Sequence, residues 1–296
     1  MPELPEVECV RRGLEAVAVG RTVTQAALHR RDIAVAPGDP DGGWSRQRPD
    51  AARPEPVRIT PPALLAGDRI ESVRRHGKQM AVVGASGRVA LVHLGMTGLV
   101  MHVPERAEPP ADHVHAEWLL DNGSRLVFRD PRRFGGVWLL PTLTDLHERW
   151  ACLGPDALTI RALRLQRALA GSRAPLKAAL LDQRRLAGLG NIYADEAAFR
   201  ARLHPATPAG SLDADQTKRL ASAIRHVLKS GLARGGSTLR DYRDPFGDAG
   251  TAQLAHRVYG RGGQPCKRCR AELVSDQLAQ RTTTWCPACQ PSPSVY

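Results

Sequence analysis

Cys266-x2-Cys269-x16-Cys286-x2-Cys289 is the feature that most narrows what this chain can fold into. In each C-x-x-C pair the backbone turns so that both thiolates face one ion, and two such pairs complete a tetrahedron. Four thiolates leave no position open to a substrate, so the spacing predicts one structural Zn2+ rather than a catalytic metal. A module this small cannot bury enough apolar surface to fold alone, and metal binding supplies the difference. Cys9 and Cys152 stand apart and are read as unpaired core thiols. A chain of 296 residues without a secretory leader is not expected to be a disulfide framework.

That length suits two or three compact units. No apolar run is long enough to span a bilayer, so the expectation is a soluble cytoplasmic protein with no membrane partner. The formal net charge of +12 favours a polyanion, and its placement is uneven. Residues 1–150 hold 20 Lys and Arg against 19 Asp and Glu, whereas residues 151–296 hold 22 against 11. A nucleic acid would therefore be gripped mainly by the C-terminal half.

Leu4, Val7, Leu14 and Val17 recur at helical spacing and Gly20 closes the segment, which predicts an N-terminal amphipathic helix. Residues 37–62 are rich in proline and predict a long irregular insertion. From about Asp68 to Leu140 the apolar runs RIESV, QMAVVG, RVALVHL, AEWLL, RLVF and GVWLL are each of strand length, and GASG and DNGS punctuate them as turns. An antiparallel β-sandwich or barrel follows. Beyond Pro141 the pattern becomes helical, through LTIRALRLQRALAG, PLKAALLDQRRL, NIYADEAAFRARL and LDADQTKRLASAIRHVLKSGL. The last segment has Asp213 near its N-cap and Gly231 expected just past its end. The final PSPSVY reads as a frayed tail.

The opening MPELPEVE can be read as a helix start, since proline suits a first turn and glutamate favours the helix dipole. Removal of Met1 would give it a second meaning. Pro2 then carries a secondary amine with a pKa of roughly 8, partly neutral and nucleophilic at physiological pH. Its attack on a sugar C1′ gives an iminium, which is cationic without needing a further deprotonation, and this is amine covalent catalysis. Glu3 stands beside it as a proton carrier and Glu6 lies one helical turn on.

Five segments, MPELPEVE, HLGMTG, DPRRFGG, GLGNIYADE and QRTTTWCPACQ, occur in order from residue 1 to residue 290. Together they resemble the formamidopyrimidine-DNA glycosylase family. The resemblance implies an α+β multidomain chain. Residues 1–141 would form a catalytic β-sandwich with the N-terminal helix, 142–250 a helix–two-turn–helix domain, 251–290 a four-cysteine zinc-finger hairpin and 291–296 a tail. It implies a monomeric base-excision-repair glycosylase and abasic-site lyase at the bacterial nucleoid, acting on damaged double-stranded DNA. Pro2 is then similar to the Schiff-base nucleophile and Glu3 to the acid that opens the deoxyribose ring. Lys78 matches the proton donor in β-elimination and Arg281 the finger arginine of δ-elimination. Removing a base from a duplex requires rotating its nucleotide out of the stack and filling the hole. Met96, Arg132 and Phe134 resemble that filling set. Asn191, after the turn GLG, resembles a phosphate clamp at a helix start. Arg173 and Lys177 are read as further backbone contacts.

Two departures stand out. The family's His-x-His-Val stretch reads Ala111-Asp112-His113-Val114, leaving His113 as the candidate DNA contact, and RDYRDPFGDAGTAQ replaces the usual aromatic-bearing loop. The rival readings are an endonuclease VIII-type glycosylase for oxidised pyrimidines, which usually opens Pro-Glu-Gly-Pro, and a non-catalytic zinc-containing DNA-binding protein.

Overall fold

Burial on both faces of the segment QMAVVG explains how the first unit is layered. The computed structural model describes residues 2–37, 39 and 59–292. In β4 (Gln79–Gly84), Met80 and Val82 join one core while Ala81 and Val83 join another on the opposite face. A strand buried on both sides carries a continuous apolar run, which is why its sequence shows no polar alternation.

The first unit comprises Pro2, Glu6–Trp150 and Ser237–Gly250. Helix α1 (Leu4–Ala18) supplies Val7, Val10 and Leu14 to its main core. The strands are β1 (Val23–Leu28), β2 (Ala34–Val35), β3 (Ile70–His76), β4, β5 (Val89–His93), β6 (Leu99–Val103), β7 (Val114–Leu120), β8 (Arg125–Arg129) and β9 (Gly136–Leu140). Five of them make one sheet in the order β2-β9-β5-β4-β3, and four make a second in the order β1-β7-β8-β6. Every pairing is antiparallel except β2 with β9. Phe128, Leu126 and Trp118 from the second sheet meet Met80, Val92 and Val137 from the first in one core, the sandwich expected from the sequence. Helix α2 (Leu143–Ala151) covers the outer face of the five-stranded sheet with Leu146.

The second unit holds Glu3–Pro5, Ala151–Gly236 and the chain from Thr251 onward. Its helices are α3 (Ala162–Leu169), α4 (Leu176–Leu181), α5 (Asn191–Ala201) and α6 (Ala214–Ala233). Asp213 caps α6 in a full capping box with Gln216. Gly231 is a correction: it lies inside α6, not past its end, packed so closely on the Tyr193 hydroxyl that a Cβ would not fit. Helix α5 is buried nearly all round, with Leu4, Leu180, Leu189, Leu220 and Ile224 in the same core. The hairpin β10 (Val274–Leu278) and β11 (Arg281–Trp285) completes the zinc module, which packs on Phe199 of α5 through Val258, Leu273, Cys266 and Cys286.

Ser237–Gly250 packs with the β-rich unit, although the resemblance groups it with the helical domain. Cys152 is exposed and Cys9 half-buried, so neither is a core thiol of the kind expected. Most of the segment 37–62, and most of the final PSPSVY, lie outside the described residues. Among the described residues no helix is long and apolar enough to cross a membrane.

Candidate active site and DNA contacts

Pro2 is buried just ahead of α1, and the carboxylates of α1 that follow it are held by hydrogen bonds. Glu6 is buried, and its Oε1 accepts from Ser237 N at 2.7 Å. Two residues on, Glu8 bonds Arg11, Arg12 and Arg75. Burial alone would raise its carboxyl, but the three guanidiniums outweigh burial and hold it below the ordinary value. Arg75 also donates to Gly77 O at 2.9 Å. Gly77 and Lys78 are the two turn residues between β3 and β4, with Gly77 at φ +57°, as a type II′ hairpin requires. Lys78 is thus carried on a rigid two-residue turn tied to α1, and its side chain is largely buried.

His93 ends β5 on the same unit, and its Nδ1 accepts from Gly95 N at 3.0 Å. Burial, and then the charges of Lys78 and Arg149, push its pKa down to about 4. A neutral His93 is what lets Nδ1 accept. The two loops carrying the predicted wedge are joined by one carboxylate. Asp130 Oδ2 accepts from Gly135 N at 2.6 Å, and Oδ1 accepts from Arg132 N at 3.2 Å and from the Thr97 hydroxyl. Met96 and Phe134 stand among the exposed large apolar residues at 38% and 37%, and Arg132 lies over the Phe134 ring at 4.7 Å. Exposed apolar side chains on pinned loops suit insertion into a base stack. His113 is exposed, at φ +59°, with Nε2 3.4 Å from Asp112 Oδ2.

In the second unit Glu3 is seated at the start of α5. Its carboxylate accepts from Gly190 N at 2.7 Å, Ile192 N at 2.8 Å and Tyr193 N at 3.3 Å. Helix N-termini hold anions in this way, through free N–H groups and the helix dipole. Of the N–H groups expected to bind a phosphate at the GLG turn, that of Gly190 is taken by Glu3 and that of Gly188 donates to Gln183 Oε1 at 2.9 Å. Asn191 offers its own side chain at the first position of the helix, beside Tyr259.

Lys177 is also a correction. Its side chain is 1% exposed, so it is not a surface contact to a DNA backbone. Its Nζ lies 2.8 Å from Asp195 Oδ1 and donates to Thr282 O at 2.8 Å. Burial raises Asp195 to about 7 against the pull of Lys177, and burial lowers Lys177. Arg173 and Arg281 are exposed, as phosphate contacts need to be. The four zinc-site sulfurs all lie within 4.8 Å of one another, with Cys269 Sγ 3.4 Å from Cys286 Sγ. Ligands of a tetrahedral zinc at Zn–S of about 2.3 Å are roughly 3.8 Å apart, so the cluster fits the metal.

Sequence reasoning missed Asp130, Asp195 and Glu196. The signal for the last two was available: adjacent acids inside NIYADEAAF, a helix otherwise apolar all round, must be paired if the helix is buried.

The model of the formamidopyrimidine-DNA glycosylase N-terminal domain matches residues 1–137, that of the same family's H2TH domain residues 153–243, and that of the zinc finger found in FPG and IleRS residues 263–291. The chain is 41% identical over 293 residues to formamidopyrimidine-DNA glycosylase of Laribacter hongkongensis, covering 98% of this chain and 100% of that protein. It is 42% identical to the protein of the same name from Chloroflexus aurantiacus, covering 98% of each. Among solved structures it is similar to the MutM (Fpg) protein from Thermus thermophilus, with a TM-score of 0.80 and 39% identity over 99% of this chain and 100% of that one. It is also similar to Lactococcus lactis Fpg in complex with abasic-site DNA, with a TM-score of 0.81 and 28% identity over 98% and 100% of the two chains.

Proposed function

Because the chain belongs to the formamidopyrimidine-DNA glycosylase family, we propose that it excises oxidised purines, 8-oxoguanine and formamidopyrimidines, from duplex DNA and then cleaves the abasic strand through a Schiff base on Pro2. The observation that carries this reading is the seating of Glu3. Three N–H donors at the α5 N-terminus hold in place the carboxylate of the residue directly after the proposed nucleophile.

The chemistry follows from the groups present. With Met1 removed, the Pro2 nitrogen attacks C1′, a new N–C1′ bond forms as the C1′–N9 bond breaks, and the base leaves with a proton. The Glu3 carboxylate takes up the N–H proton that Pro2 loses and passes it to the ring oxygen, and the sugar opens to the iminium. Loss of a C2′ proton then breaks the C3′–O bond, with Lys78 supplying the proton to the departing phosphate. Loss of a C4′ proton breaks the C5′–O bond, and Arg281, always protonated, holds the second phosphate. Water finally hydrolyses the imine and frees Pro2. Met96, Arg132 and Phe134 fill the gap left by the extruded nucleotide, while Arg173, Asn191 and His113 meet the backbone. When bound, zinc supplies a structural crosslink through Cys266, Cys269, Cys286 and Cys289. The enzyme acts as a monomer on DNA in the cytoplasm.

Duplexes carrying 8-oxoguanine or an oxidised pyrimidine, incubated with untagged enzyme, test the assignment. Faster release of the purine supports it. Faster release of the pyrimidine would move the chain to the endonuclease VIII type, and no release of either would leave only the binding-module reading.

A further inference from the structure

Lys177 and Asp195 form a buried ion pair, and each also hydrogen-bonds the backbone of one strand, β11. Both side chains are 1% exposed. Beyond their mutual 2.8 Å contact, Lys177 Nζ donates to Thr282 O at 2.8 Å and Asp195 Oδ2 accepts from Thr284 N at 3.1 Å. The pair thus grips β11 at residues 282 and 284, directly after Arg281. Burying two charges with no site to serve is a poor way to gain stability, because desolvation cancels most of their attraction. Where such pairs are kept, the best-supported use is to fix register.

What they fix is a strained tip. The β10–β11 turn pairs Leu278 with Arg281, leaving Ala279 and Gln280 as its two central residues. Both lie in the left-handed region, at φ +51° and +59°, where Asn-Gly or Gly-Gly is the usual choice. Neither residue favours that conformation, so the tip persists only if the flanking strands are held from elsewhere. Glu196, the next residue of α5, holds the approach to the finger: its carboxylate accepts from Arg257 N, Val258 N and Tyr259 N, each at 2.9 Å. The start of α5 meanwhile seats Glu3. One buried helix therefore carries both the acid beside Pro2 and the grip on the hairpin.

We infer that Lys177 and Asp195 are positioning residues for the second strand-cleavage step, which hold the finger hairpin in register on α5 so that Arg281 is presented to the phosphate that leaves last. The inference rests on the proposed glycosylase and lyase activity. It assigns these residues no contact with the substrate, and it separates them from the exposed cations that bind DNA.

The test is a comparison of full-length, zinc-loaded enzymes on a duplex with a preformed abasic site. The variants are Lys177→Met/Asp195→Leu, Arg281→Ala and the triple combination. Replacing both charges with apolar groups of similar volume avoids an orphaned buried charge and keeps the fold, which zinc content and thermal unfolding report. Borohydride trapping should stay within about twofold of the parent, since Pro2 chemistry does not pass through the pair. The ratio of δ- to β-elimination product should fall at least about tenfold, and Arg281→Ala added to the double variant should lower it no further, the signature of residues acting through one another. Amide exchange at residues 281–284 should quicken in parallel. An unchanged product ratio, or losses that multiply in the triple variant, would overturn the inference. If the double variant loses zinc, Asp195→Asn, which keeps the side chain's shape, is read by the same ratio and the same combination with Arg281→Ala. Failure of the unmodified enzyme to trap on Pro2 would instead refute the underlying activity.

Discussion

Gly190 sits where α5 meets the Glu3 carboxylate, and Gly190→Ala puts the seating of Glu3 to a quantitative test. Its backbone, at φ −128° and ψ −159°, is open to any L-residue, so alanine brings no conformational strain. The obstacle is steric. A Cβ there would overlap Glu3 Cδ and lie 2.6 Å from Oε1, and the buried carboxylate has to move. Displacement leaves at least two buried N–H donors without an acceptor, at about 1–3 kcal/mol each. A gain of about 0.4–1 kcal/mol from stiffening the unfolded chain offsets part of this. The net loss is about 3 kcal/mol, which lowers the unfolding transition of the helical unit by about 6–12 °C. Excision of 8-oxoguanine should fall by about 10²–10⁴, the usual contribution of a positioned proton donor, while the salt-dependent part of DNA affinity stays as it was. Differential scanning calorimetry and single-turnover excision give both numbers. A variant as stable and as active as the parent would refute the claim that Glu3 must sit at this helix terminus.

Three other outcomes follow. Phe134→Ala should slow excision from an intact duplex by about tenfold or more yet leave cleavage of a preformed abasic site less affected, as gel assays of both substrates would show. His93 is held neutral, with its pKa pushed down to about 4, whereas the unfolded chain protonates it near 6.5. The unfolded state thus binds the extra proton between those values, stability falls as pH drops through that window by at most about 3 kcal/mol, and His93→Gln should flatten that part of a urea-midpoint profile. Arg173→Ala should reduce the slope of log affinity against log salt by about 0.9, the mark of one lost phosphate contact; an unchanged slope would remove Arg173 from the interface.

Much of the fold is legible because its signals are local. The strands β4, β5, β7, β8 and β9 each hold adjacent apolar residues, β3 spaces Ile70 and Val73 within a strand-length segment, and the zinc site is written in cysteine spacing. Strand β1 is not legible, since only Val23 of its six residues is buried and it lies at a sheet edge. Strand β6 directly follows the loop of HLGMTG and is absorbed into it. In the site, the resemblance names the groups that touch DNA, but not those that hold them. Asp130, Asp195 and Glu196 act on partners elsewhere in the chain, and no periodicity encodes a contact such as Lys177 with Thr282. Lys177 misleads for the same reason: a lone lysine in SRAPLK looks like a surface cation until its carboxylate partner is located on another helix.

The most direct measurement is peptide mapping of the borohydride-reduced adduct between untagged enzyme and a duplex bearing an abasic site. The expected result is a single sugar-modified peptide that begins at residue 2, with the crosslink on the Pro2 nitrogen, and none when Met1 is retained by an N-terminal extension. A crosslink on Lys78 or any other lysine, or an undiminished adduct from the extended protein, would contradict catalysis by the terminal amine.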